Sequence, residues 1–108
     1  MQKIENKNKE RDYHVNIRFP EFTCLCPLTS QPDFAEVTIN YVPGEYLVEL
    51  KSLKIYLNSF RDRGAFHEAV INEILNDFVE EIKPKGAEIT GNFNVRGGIH
   101  TTVKVAYP

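Results

Sequence analysis

A chain of 108 residues has the length of one domain, enough for a single core but small for a deep enclosed pocket. A demanding site in it is therefore expected between subunits. Its 13 basic and 15 acidic side chains nearly cancel, which argues against a broad nucleic-acid-binding surface or a membrane patch. No apolar run approaches the ~20 residues of a membrane span, and two cysteines with three scattered histidines suggest neither a disulfide framework nor a zinc site.

Residues 1–12 are polar and read as a mobile N-terminal tail, followed by one domain over 13–108. The start lacks the apolar stretch of a signal peptide, so a cytoplasmic location is expected. Val15, Ile17 and Phe19 alternate with His14, Asn16 and Arg18, the period of a strand. The run from Phe22 to Phe34 follows. Pro27 and Pro32 in it fix φ and remove backbone donors, so it is expected to be a shaped loop rather than a helix or central strand. It holds the thiol of Cys26 and, seven residues later, the carboxyl of Asp33. Ala35, Val37, Ile39 and Tyr41 then alternate with polar residues as a half-buried strand, and Pro43-Gly44 marks a turn.

From about Glu45 the period becomes helical, with Leu50, Leu53, Leu57 and Phe60 on one face. Gly64 breaks this helix. A second runs from about Phe66 to Ile82 and ends at Pro84-Lys85-Gly86. Two more strands follow, Ala87 to Val95 and Ile99 to Tyr107, with Gly97-Gly98 as their hairpin turn. The order β-β-α-α-β-β predicts an α+β fold: an antiparallel four-stranded sheet with two helices on one face. Such a sheet leaves two edges open. Pairing between subunits that closes a barrel would cover them.

Several side chains carry possible chemistry, and each has an ordinary alternative. Cys26 as thiolate can attack an electrophilic carbon, with Asp33 protonating the atom that gains charge; most buried cysteines are inert, and Asp33 suits a turn after Pro32. Cys24 reads as structural. His67 and Glu68 open a helix, where an acid favours the dipole, and Glu49 suits a first helical turn. Lys51 and Lys54, three apart, share a helix face, with Arg96 and Gly97 further on; a solvated face and a plain hairpin account for these equally.

The motifs in order change that balance. Cys26-Pro27, Gln31-Pro32-Asp33-Phe34, Glu49 through Tyr56, Ser59-Phe60-Arg61, Phe66-His67-Glu68 and Arg96-Gly97-Gly98-Ile99 together resemble the QueF family of 7-cyano-7-deazaguanine reductases. These are nitrile reductases of the T-fold (tunnelling-fold) superfamily. The resemblance covers roughly residues 17–105. It implies NADPH-dependent reduction of the nitrile of 7-cyano-7-deazaguanine to an aminomethyl group, within biosynthesis of the tRNA nucleoside queuosine. It implies Cys26 as the nucleophile that forms a covalent thioimide and Asp33 as the proton donor, its acidity weakened by burial. It implies substrate binding by Val48, Glu49, Leu50, His67 and Glu68, and NADPH binding by Leu50, Lys51, Lys54, Arg96 and Gly97, without a metal. It further implies a homo-oligomeric barrel with sites at subunit interfaces, and no direct nucleic-acid binding. Two alternatives are a QueF-like amidinotransferase acting on nitrile-modified tRNA and a non-catalytic T-fold module that binds purines or pterins.

Overall fold

Alternation of apolar and polar residues builds the sheet, and the helical spacing of Leu and Ile builds the layer that covers it. In the computed structural model, which describes residues 1–108, the chain runs β1 (Lys3–Glu5), β2 (Val15–Leu25), β3 (Pro32–Val42), β4 (Tyr46–Val48), α1 (Leu50–Asn58), α2 (His67–Ile82), β5 (Gly86–Phe93) and β6 (Thr102–Tyr107). Four strands form one antiparallel sheet in the order β2-β3-β5-β6. The expected α+β architecture is therefore present, with two helices over one face.

That face is apolar because Ala35, Val37, Ile39 and Tyr41 of β3 and Ala87, Ile89 and Phe93 of β5 all point into it, each almost fully buried. They meet Val70, Ile71, Ile74, Phe78 and Ile82 of α2 and Leu53 and Leu57 of α1. Tyr41 and Phe78 pack edge to face with ring centroids 4.9 Å apart. Gly91 lets α2 come this close: a Cβ there would stand 2.5 Å from Ile71 Cδ1 and 3.0 Å from Phe93 Cε1. α2 ends at Lys83, which adopts left-handed φ 52° ahead of Pro84, a residue that cannot extend the helix.

A bulge in β2 decides which of its side chains face inward. Phe19 pairs with Val37, yet the next pair is Phe22 with Ala35, so β2 spends one extra residue there. The extra residue inverts the alternation. Val15, Ile17 and Phe19 pack against the core before it, and Phe22 and Cys24 are fully buried after it. Pro20 sits in the bulge, on an edge strand, where a missing donor costs little.

Three expectations need correction. The segment read as a tail carries β1, which pairs with β4, and Asn6, which is fully buried. Asn6 Nδ2 donates to the Gly44 carbonyl and its Oδ1 accepts from the Tyr13 hydroxyl, so this polar segment is held by hydrogen bonds that hydrophobic periodicity does not register. The helical period from Glu45 was also too early: 46–48 are strand and α1 begins at Leu50. The proline-bounded loop is shorter than the run Phe22–Phe34. β2 continues through Leu25, and β3 opens on Pro32, the first strand position, where proline is tolerated.

Candidate active site

Three connections meet at one end of the sheet. The first is the β2–β3 hairpin loop, closed by Cys26 N to Gln31 O and Ser30 N to Cys26 O, both 2.8 Å. The second is the segment before α2. Leu25 N donates to Arg63 O and Ala65 N donates to Leu25 O, a short parallel bridge that carries the N-terminus of α2 to the thiol. The third is the β5–β6 connection, tied in by Asn94 N to Phe34 O at 2.9 Å. Its tip is a two-residue turn in which Gly97 and Gly98 have φ 58° and 80° while Arg96 and Ile99 exchange both backbone hydrogen bonds. Two positive φ values make glycine the natural occupant of both positions.

These connections enclose a cleft of about 260 Å³ lined by Cys26, Asp33, His67, Glu68 and Arg96, with Pro27, Phe66 and Thr101. Five of the sequence-derived residues thus lie together, although they come from positions far apart in the chain. Cys26 is a free thiol, partly exposed. The Thr29 hydroxyl first, then the Leu28 and Thr29 backbone N–H groups, hold it below the usual thiol range, while nearby Asp33 opposes them. Cys24, two residues back, is pushed up to about 11, chiefly by burial.

Asp33 is 8% exposed and held at both oxygens. His67 Nε2 lies 3.1 Å from Oδ2 and Arg96 Nη1 lies 2.5 Å from Oδ1. The imidazole is itself fixed by stacking on Phe93, with centroids 3.7 Å apart and planes 4° from parallel. Glu68 is exposed at the cleft and its carboxylate has no hydrogen-bond partner within the chain.

The other sequence-derived residues lie elsewhere. Val48, Glu49 and Leu50 line a separate apolar groove of about 430 Å³ with Ile4, Tyr13, Val15, Ile17, Tyr41 and Leu47. That groove includes Tyr41, eight residues along β3 from Asp33, which is about 27 Å at 3.4 Å per residue. Glu49 there is the N-cap of α1, accepting from Lys51 N at 2.7 Å and Ser52 N at 2.9 Å. These two bonds hold its carboxyl below the usual range. Lys51 and Lys54 are exposed on α1 and form no ion pair. Arg96, grouped with them from the sequence, instead stands in the Cys26 cleft beside the open Gly97 turn. Sequence reading missed Thr29, Phe93 and Thr101. Phe93 and Thr101 had only the alternation of their expected strands as a signal, and Thr29 had none.

An antiparallel four-stranded sheet in this order, backed by two helices on one face, is the architecture of a T-fold domain. A family model described as QueF-like protein matches residues 32–108. A relative from Nitrosococcus oceani named NADPH-dependent 7-cyano-7-deazaguanine reductase is 56% identical over 107 residues, 99% of this chain and 83% of its own length. Relatives of the same name from Halorhodospira halophila (52% over 107 residues, 99% and 91% covered) and Thioalkalivibrio sulfidiphilus (57% over 103 residues, 95% and 80% covered) agree. The apo crystal structure of an archaeosine synthase QueF-Like aligns with TM-score 0.76 at 20% identity, covering 88% of this chain and 91% of that one, a likeness of fold alone. The chain belongs to the QueF-like family.

Proposed function

We propose that the chain is an NADPH-dependent 7-cyano-7-deazaguanine reductase, converting the nitrile to an aminomethyl group through a thioimide on Cys26. Relatives above 50% identity over nearly the whole chain bear that name. The observation that carries the chemistry is the meeting of Cys26, Asp33, His67 and Glu68 in one cleft. A lowered thiol affinity for protons supplies thiolate. The sulfur bonds to the nitrile carbon, one C–N π bond becomes an N–H bond, and the proton lost by the thiol ends on that nitrogen through Asp33. Covalent addition replaces a poor acceptor by a C=N group that is reduced more readily. His67, hydrogen-bonded to Asp33, can pass on the protons needed later. The free Glu68 carboxylate can accept from the ring N–H and amino group of a deazaguanine.

Two molecules of NADPH, bound in turn, would each supply one hydride. Lys51 and Lys54, exposed and unpaired, suit the cofactor's phosphates, with Leu50 at the same helix end. Arg96 and Gly97 suit it only if they approach from another copy, since they stand at the Cys26 cleft. The same separation applies to Val48 and Glu49: one chain does not bring them to the substrate that Cys26 attacks. We therefore read the enzyme as a homo-oligomer that closes a barrel through the open edges β2 and β6, with sites between subunits. Its substrate is the free base, so no nucleic acid binds directly. A cytoplasmic location, where thiols stay reduced, suits a free Cys26. The test is stoichiometry. Incubation with 7-cyano-7-deazaguanine and NADPH should oxidise two cofactors per aminomethyl product. Nitrile adduct without NADPH oxidation contradicts the reductase reading and favours an amidinotransferase.

A further inference from the structure

We propose that Arg96 is a positioning residue for Asp33 in the addition of the thiol to the nitrile, a role that rests on the reaction proposed above. Its guanidinium holds three acceptors in consecutive residues: Nη1 donates to Asp33 Oδ1 (2.5 Å) and Pro32 O (3.1 Å), and Nη2 donates to Gln31 Oε1 (2.7 Å). These residues join the Cys26 loop to β3. Arg96 therefore ties the β5–β6 turn to the segment that presents both the nucleophile and the acid.

Its effect on the carboxyl is specific. Asp33 Oδ2 already bonds His67 Nε2; with Oδ1 on Arg96, both oxygens are held from different elements and the carboxyl plane is set within the cleft. Around Asp33 stand Cys26 and Cys24 from the β2 side, His67 and Glu68 from α2, and Arg96 from the β5–β6 turn. Arg96 alone among them is permanently cationic. The backbone that carries it is pinned by the paired bonds of Arg96 with Ile99. Lys51 and Lys54 have no such protein partners, so the cations grouped by sequence divide into two kinds. Proton transfer tolerates little misplacement, and a shift of about 1 Å can cost about 100-fold.

The test measures adduct formation with 7-cyano-7-deazaguanine in single turnover, without NADPH. Arg96→Gln should form adduct about tenfold more slowly. Arg96→Lys, which keeps the charge but not the fork, should recover part of the rate. In an Asp33→Asn background, Arg96→Gln should add less than about twofold, because the residue acts through that carboxyl. An Arg96→Gln rate equal to wild type, with only the NADPH KM raised, overturns the proposal. So does a full tenfold loss persisting in the Asp33→Asn background. Should Asp33→Asn form no measurable adduct, the lysine variant decides, and a rate no faster than Arg96→Gln overturns it. Absence of adduct in the wild type overturns the nitrile reading instead.

Discussion

Cys24 and Cys26 share residue type and neighbourhood, yet the fold gives them opposite chemistry. The β2 bulge turns Cys24 into the core, where burial raises its proton affinity. Cys26 lies one step beyond the strand, where the Thr29 hydroxyl and two amides favour thiolate. Reactivity follows the thiolate fraction, which rises with pH and is larger at neutrality when the pKa is lowered. Thr29→Val should therefore move the midpoint of Cys26 alkylation by iodoacetamide to higher pH and slow the reaction at pH 7. Cys24 should stay unmodified until the protein unfolds. An unchanged midpoint would show that Thr29 does not tune the thiol. Of this the sequence displayed little: the prolines marked a shaped loop, but neither the bulge nor the Thr29 contact has a periodic signature. The ordered motifs, rather than any spacing rule, pointed to Asp33, His67 and Glu68. The Arg96 pairing with Asp33 spans 63 residues, beyond the reach of local reading.

At the scale of elements, long periodic segments were legible and short polar ones were not. α2 and the four strands of the main sheet carry many apolar residues at fixed spacing, so their existence follows from burial. β1 and β4 have three residues each and are held by their mutual ladder and by the network around Asn6. Glu49 joins these elements. It follows β4, caps α1, and its backbone N–H donates to Gln2 O at 2.9 Å. Because the folded state lowers its proton affinity, the ionised cap contributes stability above the ordinary carboxylate range, and the contribution fades as pH falls through the folded pKa. Glu49→Gln should melt a few degrees below wild type at pH 7, and the gap should close toward pH 3. A gap independent of pH would mean that the charge plays no part in the cap.

The whole chain extends 48 × 22 × 19 Å, and its length separates two groups of the residues that the motifs singled out. Cys26, Asp33, His67, Glu68 and Arg96 occupy the hairpin end of the sheet; Glu49 caps α1, and Lys51 and Lys54 lie along it. Exposed Leu28, Phe66 and Ile99 stand around the cleft end, and exposed Leu50 stands at the other, surfaces that suit contact between copies. The fold class was readable from element order. The distance between the two groups was not readable, because motifs place residues along a chain and not across a sheet. The central claim is that Cys26 adds to a nitrile. Intact-mass measurement of the protein mixed with 7-cyano-7-deazaguanine, without NADPH, tests it most directly. The account predicts that each reactive chain gains the full mass of the nitrile, since addition expels nothing, and that Cys26→Ala gains none. An unmodified wild-type chain, or an equal gain in Cys26→Ala, would contradict it.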